Sequence, residues 1–136
     1  MKKEFSTAWK SSKQPRKQRK YVAKAPLHIK RRLLSINLSK DLRKKYGKRN
    51  VVARKGDNVK VMSGKFKGKT GKILQIFTKK SKVTVEGIQV KKMDGSKANI
   101  KLHPSNMQIT ELNLTDSKRM QTKKTESKKE IKEEKK

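Results

Sequence analysis

A chain of 136 residues with 41 Lys+Arg against 11 Asp+Glu carries a formal net charge of +30, a field that repels itself in a compact state unless a polyanion lies beside it. Only 30% of the residues are hydrophobic, against roughly 45–50% in an ordinary globular domain, so much of the chain stays outside a packed core. The absence of cysteine removes disulfides, thiolate metal sites and thiol catalysis, and no apolar run reaches the length of a membrane span or a signal-peptide core, so an intracellular, soluble protein is expected.

Charge divides the sequence into three expected units: a basic arm over 1–55, a globular domain over 56–115 and a charged tail over 116–136. The arm holds 20 basic residues and two acids, Glu4 and Asp41. Within it, "SKQPRKQRKY" has no apolar periodicity and reads as extended when alone. "APLHIKRRLL" opens a short helix with Pro26 at its first position, where a missing N–H costs nothing. "SKDLRKKYG" is a clearer helix: Ser39 caps it, Asp41 suits its positive end, Lys44 and Lys45 suit the other, and Gly47 stops it. Trp9 stands in a stretch with no core around it, free to stack on a partner or simply tolerated.

The middle unit carries a period-2 pattern. "DNVKVM" alternates Val59 and Val61 with polar residues, while "GKILQIF" is apolar on both faces and reads as a central strand. "SKVTVEG" continues into "IQVKK" across Gly87, the mark of a bulge or sharp bend. Asp94-Gly95 signals a short hairpin, and "NIKLH" and "MQITEL" add two more strands. Five short strands separated by turn signals predict a mainly β fold, a small five-stranded antiparallel barrel. The glycine-rich stretch "SGKFKGKTG" connects the first two strands, its glycines allowing tight turns and its lysines pointing outward. Phe66 reads as a packing anchor under this loop rather than a base-stacking aromatic. The tail "KKTESKKEIKEEKK" is low in complexity, with Ile131 its one apolar residue, and reads as a solvated segment.

Catalysis needs convergent groups, and few are present. His28 and His103 are the only histidines and lie on different segments, so no metal or cofactor site is expected. The four acids of the middle unit (Asp57, Glu86, Asp94 and Glu111) are scattered and sit mainly at turns or exposed strand positions, where solubility explains them. "GKFKGKTG" fails as a nucleotide-binding loop, since its glycine spacing is one residue short and a strand follows it. No catalytic residue, cofactor, metal or small-molecule substrate is therefore expected. A membrane surface is also disfavoured, because the basic residues lack an amphipathic apolar stripe.

Nucleic acid remains. Arg and Lys neutralise phosphates largely without reading sequence, and in the arm they are interleaved with Gln14, Gln18, Tyr21 and His28, which can bond or stack on nucleotides. No zinc finger, basic zipper or long recognition helix points to DNA. Arginine-rich arms that order on binding suit a large folded RNA.

The residues also carry a resemblance. "KGDNVKVMSGKFKGKTGKILQI" is similar to a KOW motif, found in SH3-like barrels of ribosomal and transcription-elongation proteins. The flanks "SKQPRKQRKYVAKAPLHIKRRLLS" and "LSKDLRKKYGKRN", with "VEGIQVKKMDGS" and "HPSNMQIT", resemble the archaeal/eukaryotic form of a universal large-subunit ribosomal protein family, numbered twenty-four in bacteria and archaea and twenty-six in eukaryotes. The likeness runs from about Ser11 to about Ser117, and its wording stands closer to archaeal members. It implies an SH3-like barrel and a structural, cytoplasmic role in the ribosome. It further implies binding to large-subunit rRNA near its 5′ region, early in assembly and close to the exit of the peptide tunnel. Neighbouring ribosomal proteins are the implied protein partners, without homo-oligomers.

Carried over residue by residue, the RNA contacts implied are Arg16, Lys17, Arg19, Lys20 and Tyr21, then His28, Lys30, Arg31 and Arg32, then Arg54 and Lys55, then Lys65, Lys67 and Lys69. His103, Ser105 and Asn106 would shape a turn beside the RNA. A KOW barrel in a transcription-elongation factor that meets RNA polymerase is the alternative. Such factors carry an α/β domain ahead of the barrel, which a basic arm of 55 residues is not.

Overall fold

The computed structural model describes residues 5–8 and 12–120. Helix α1 (Pro15–Lys24) falls on the stretch expected to be extended. Pro15 opens it without losing a hydrogen bond, and the Arg, Lys, Gln and Ala that follow are good helix formers, so local propensity outweighs the missing apolar stripe. Helix α2 (Leu27–Arg32) begins one residue later than the sequence pattern places it, with Pro26 as its cap rather than its first residue. Helix α3 (Lys40–Tyr46) has the expected ends. Ser39 Oγ accepts the Leu42 N–H at 3.4 Å, and Gly47, at φ 61°, donates its N–H to the Arg43 carbonyl.

Seven strands follow the order β2-β1-β7-β3-β4-β5-β6. They are β1 (Ser35–Leu38), β2 (Asn50–Val52), β3 (Asn58–Val61), β4 (Thr70–Phe77), β5 (Lys82–Lys91), β6 (Lys97–Leu102) and β7 (Met107–Glu111). Neighbours are antiparallel except β1 and β7, which run parallel with Asn37 opposite Gln108 and Leu38 opposite Ile109. The expected class, mainly β, is what the chain forms. The expected five-stranded antiparallel barrel is corrected: among the described residues the sheet has seven strands, is mixed, and ends at β2 and β6 without closing.

The two additional strands come from 35–52, inside the stretch that composition groups with the arm. In Ser35-Ile36-Asn37-Leu38 only Ile36 and Leu38 turn inward, a period-2 pattern too short to stand out among so many lysines. They join Val59, Val61, Val83, Val85, Ile88, Met107 and Ile109 in a core where none of these side chains is more than 1% exposed.

Gly87 marks the expected bulge. Thr84 pairs with Lys101 and Gln89 with Asn99, so residues 85–88 of β5 face Ile100 alone, and Gly87 takes the positive φ of 73° that the bend requires. A second irregularity, between Ile73 and Gln75 of β4, leaves Leu74 exposed, although the sequence pattern puts apolar residues on both faces of this strand. Gly71 of β4 sits where β5 crosses closely: a Cβ there would lie 2.5 Å from the Glu86 carbonyl oxygen. Gly71→Ala should therefore push two backbones apart and cost about 1–3 kcal/mol, read as a lower urea midpoint; an unchanged midpoint would mean that the crossing yields freely.

Candidate nucleic-acid interface

The loop of residues 62–69 between β3 and β4 is pinned at its base and open at its tip. Val61 donates to the Lys69 carbonyl at 2.9 Å, and Gly68 donates back to the Val61 carbonyl at 2.8 Å. A turn closes with the Lys67 N–H on the Gly64 carbonyl at 3.0 Å, with Gly64 at φ 89° and Gly68 at φ 88°. Phe66 packs against the core, as the anchor reading expects, and Lys69 Nζ lies 5.5 Å from its ring centroid. Lys65, Lys67 and Lys69 are all exposed.

The fold brings a second predicted element to this loop. Met62 donates to the Asn106 carbonyl at 2.8 Å, which places the 3₁₀ turn Pro104–Asn106 beside it. Pro104 is buried, while His103, Ser105 and Asn106 face solvent. His103 Nδ1 lies 2.6 Å from Ser105 Oγ and accepts the Ser105 N–H at 3.3 Å, so the imidazole caps the turn. Loop and turn form one surface, with three lysines and the hydrogen-bonding side chains of His103, Ser105 and Asn106.

The arm presents its charges on helices. Arg16, Lys17, Arg19 and Lys20 on α1 and His28, Arg31 and Arg32 on α2 are exposed. Tyr21 is half-buried, with its ring 4.9 Å from that of Phe5 and tilted by 44°. Lys30 Nζ donates to the Ala23 carbonyl at 3.1 Å and so ties α2 back to α1. Trp9 and the tail beyond residue 120, Ile131 included, lie outside the described residues.

Asp57 corrects the sequence reading. The acid expected at the surface is fully buried and meets Arg119 in a two-pronged ion pair, both bonds 2.6 Å. The backbone N–H groups of Arg54 and Asn113 complete its acceptor capacity, at 2.9 and 3.0 Å. Arg119 also donates to the carbonyls of Asn113 and Val52, at 2.7 and 3.1 Å. Lys48 Nζ reaches the Met120 carbonyl at 3.2 Å, so residues 113–120 strap the end of the described chain across β2 and the turn that leads into β3. The one sequence signal available was a lone acid opening a strand after "RKG".

Of the predicted RNA-facing pair, Lys55 is exposed, while Arg54 is half-exposed and engages Asp116 at 2.6 Å. The Arg54 guanidinium, helped by the Lys118 N–H, holds the Asp116 carboxyl below its ordinary value of 3.8. A carboxyl with a depressed folded pKa adds stability above its unfolded pKa and loses it as pH falls through the lower folded value. NMR titration should therefore give Asp116 a midpoint below 3.8, and Arg54→Ala should return it toward that value. No movement on that substitution would refute the pairing.

Among the described residues no three His, Asp or Glu side chains gather as a metal site would need, and no helix is long and apolar enough to cross a membrane. A family model for ribosomal proteins, L26 in eukaryotes and L24 in archaea, matches residues 12–125. The match spans helices α1, α2 and α3, the whole sheet and the strap, and lends no support to the elongation-factor alternative. Ribosomal protein, large subunit and translation are what that family denotes. With 12–125 matched out of 136 residues, the chain belongs to the family of eukaryotic L26 and archaeal L24 ribosomal proteins.

Proposed function

We propose that this structural constituent of the ribosome binds large-subunit rRNA through its arm helices and through the joint surface of loop 62–69 and turn 103–106, and that it catalyses no reaction. In this reading the basic stretch 1–55 faces RNA and 56–115 supplies most of the body, with β1 and β2 building the end of the arm into the sheet and residues 116–120 strapped to it ahead of the charged tail. The site lies near the 5′ region of the rRNA and close to the tunnel exit, and the protein binds early in assembly, in the cytoplasm, beside other large-subunit proteins. One observation carries the reading: Lys65, Lys67 and Lys69 stand exposed on a loop whose backbone is tied down, and neither ion pair among the described residues involves them. A fixed display of cations on a rigid base binds a polyanion at little ordering cost.

Replacing Lys65, Lys67 and Lys69 together by Gln should weaken rRNA binding. It should also flatten the dependence of log K on log salt by roughly two to three units, at about 0.7–0.9 for each phosphate no longer neutralised. An unchanged slope would show that the loop faces solvent or protein. In cells, crosslinking the tagged protein and sequencing the attached RNA should concentrate reads in one region of large-subunit rRNA. Reads scattered over nascent transcripts would overturn the ribosomal placement.

A further inference from the structure

Beyond the β5 bulge, residues 89–99 form a two-stranded ribbon that adds almost nothing to the core. Val90 is 42% exposed, Met93 at the tip is wholly exposed, and only Ala98 is half-buried. Because alternate residues share a face, Gln89 and Lys91 of β5 stand with Lys97, Asn99 and Lys101 of β6. Gln89 Nε2 donates to Asn99 Oδ1 at 2.9 Å, which fixes the register, and Lys91 and Lys97 are direct cross-strand partners. Like charges directly opposite one another destabilise such a ribbon.

Nothing within the ribbon relieves that repulsion. Asp94, in the turn, accepts the Ser96 N–H at 2.9 Å and its hydroxyl at 2.7 Å. The ion pairs among the described residues are Arg54–Asp116 and Arg119–Asp57, and neither reaches these lysines. Lysines on an end strand discourage pairing with another chain, which accounts for Lys97 and Lys101 on β6. It does not account for Lys91, which sits on the inner strand β5 and adds repulsion without guarding an edge.

We propose that Lys91, Lys97 and Lys101 form a second RNA-contact stripe, separate from loop 62–69, which takes the phosphodiester backbone of rRNA. A phosphate seated between the two opposed ammonium groups converts their repulsion into two charge-assisted hydrogen bonds. Lys97 to Lys101 spans four residues, about 13 Å at the strand rise, enough for more than one backbone phosphate. Lys101 is steadied by the Phe77 ring, 4.8 Å from its ammonium. The root of the ribbon, Glu86, lies against Gly71 on the strand to which loop 62–69 returns. The proposal rests on the reading of the chain as an rRNA-binding protein.

The test uses the full chain and transcribed large-subunit rRNA titrated over a range of KCl. The combined variant Lys91→Gln, Lys97→Gln and Lys101→Gln should lower the salt slope by about two units, at 0.7–0.9 per phosphate, in addition to the loss caused by the Lys65, Lys67 and Lys69 substitutions. Lys97→Glu alone, which places opposite charges across the ribbon, should shift the thermal midpoint upward while weakening rRNA binding, so a folding defect cannot imitate the result. A ribbon variant with unchanged slope beside a loop variant with reduced slope overturns the stripe and leaves the rRNA reading standing. Ribbon crosslinks that go to an acidic protein segment instead of RNA overturn it too. If the unsubstituted chain binds rRNA without salt dependence, the broader reading falls first, and the stripe with it.

Discussion

Arg119→Ala should lower the unfolding free energy by about 3–5 kcal/mol, the usual cost of leaving one member of a buried ion pair uncompensated. Its partner Asp57 is fully buried, and the Arg119 side chain is only 2% exposed. Asp57 would keep two backbone N–H donors but lose both guanidinium bonds, leaving an ionised carboxylate in a site of low dielectric. The carbonyls of Val52 and Asn113 would lose a donor as well. Arg119→Lys should recover only part of the loss, since an ammonium cannot reproduce the fork that grips both carboxylate oxygens. Replacing both partners by apolar residues of similar volume should cost far less than either single change, because no charge is then stranded. Urea denaturation of the singles and the double provides the cycle. Singles within about 0.5 kcal/mol of the parent, the range of ordinary surface substitutions, would show that the strap is not part of the folded unit. For binding, the pair means that Arg119 is spent on structure and is not one of the cations offered to RNA.

What the sequence made legible was local. Helix α3 was readable because each of its ends is set by one side chain or one glycine, Ser39 and Gly47. Gly87 and Asp94-Gly95 were readable for the same reason: a bend or a tight turn restricts residue choice at a single position. The helical course of α1 was hidden because helix detection looks for an apolar stripe, and a helix that buries no residue has none. Strands β1 and β2 were hidden by their length and their neighbours, since Ile36 and Leu38 are two apolar residues in a stretch dominated by charge. The parallel pairing of β1 with β7 and the Asp57–Arg119 pair join residues some 60–70 positions apart, and no periodicity reports such contacts. At the site, the lysine loop was visible as composition, but its union with the "HPSN" turn follows from the pairing of β3 with β7, Val61 opposite Met107, extended by the Met62–Asn106 hydrogen bond.

A fragment of residues 56–120, cut where the charge composition changes, should fail to fold, whereas one of residues 33–120 should fold with most of the full chain's stability. The shorter piece loses Leu34, Ile36 and Leu38, each at most 2% exposed in the sheet core. Burial of each such side chain contributes roughly 1.5–3 kcal/mol, and the sum is comparable with the whole net stability of a small domain, about 5–15 kcal/mol. The cut also turns β7 into an edge strand, since β1 covers it through Asn37 and Leu38, and it removes the Ser39 N–H that donates to the Ile109 carbonyl at 2.9 Å. The point variant Ile36→Ala in the full chain should cost about 2–5 kcal/mol. Amide dispersion in NMR spectra and urea midpoints read all three. A well-dispersed 56–120 fragment with an undiminished midpoint would mean that β1 merely lies on the sheet. The functional consequence lies in the junction: α2, with Arg31 and Arg32, leads through a two-residue turn with buried Leu34 into β1, and Ser35 Oγ donates to the Arg32 carbonyl at 2.8 Å. The charges of α2 are thus aimed by the core itself, and a substitution at Ile36 should weaken RNA binding even under conditions in which most of the protein remains folded.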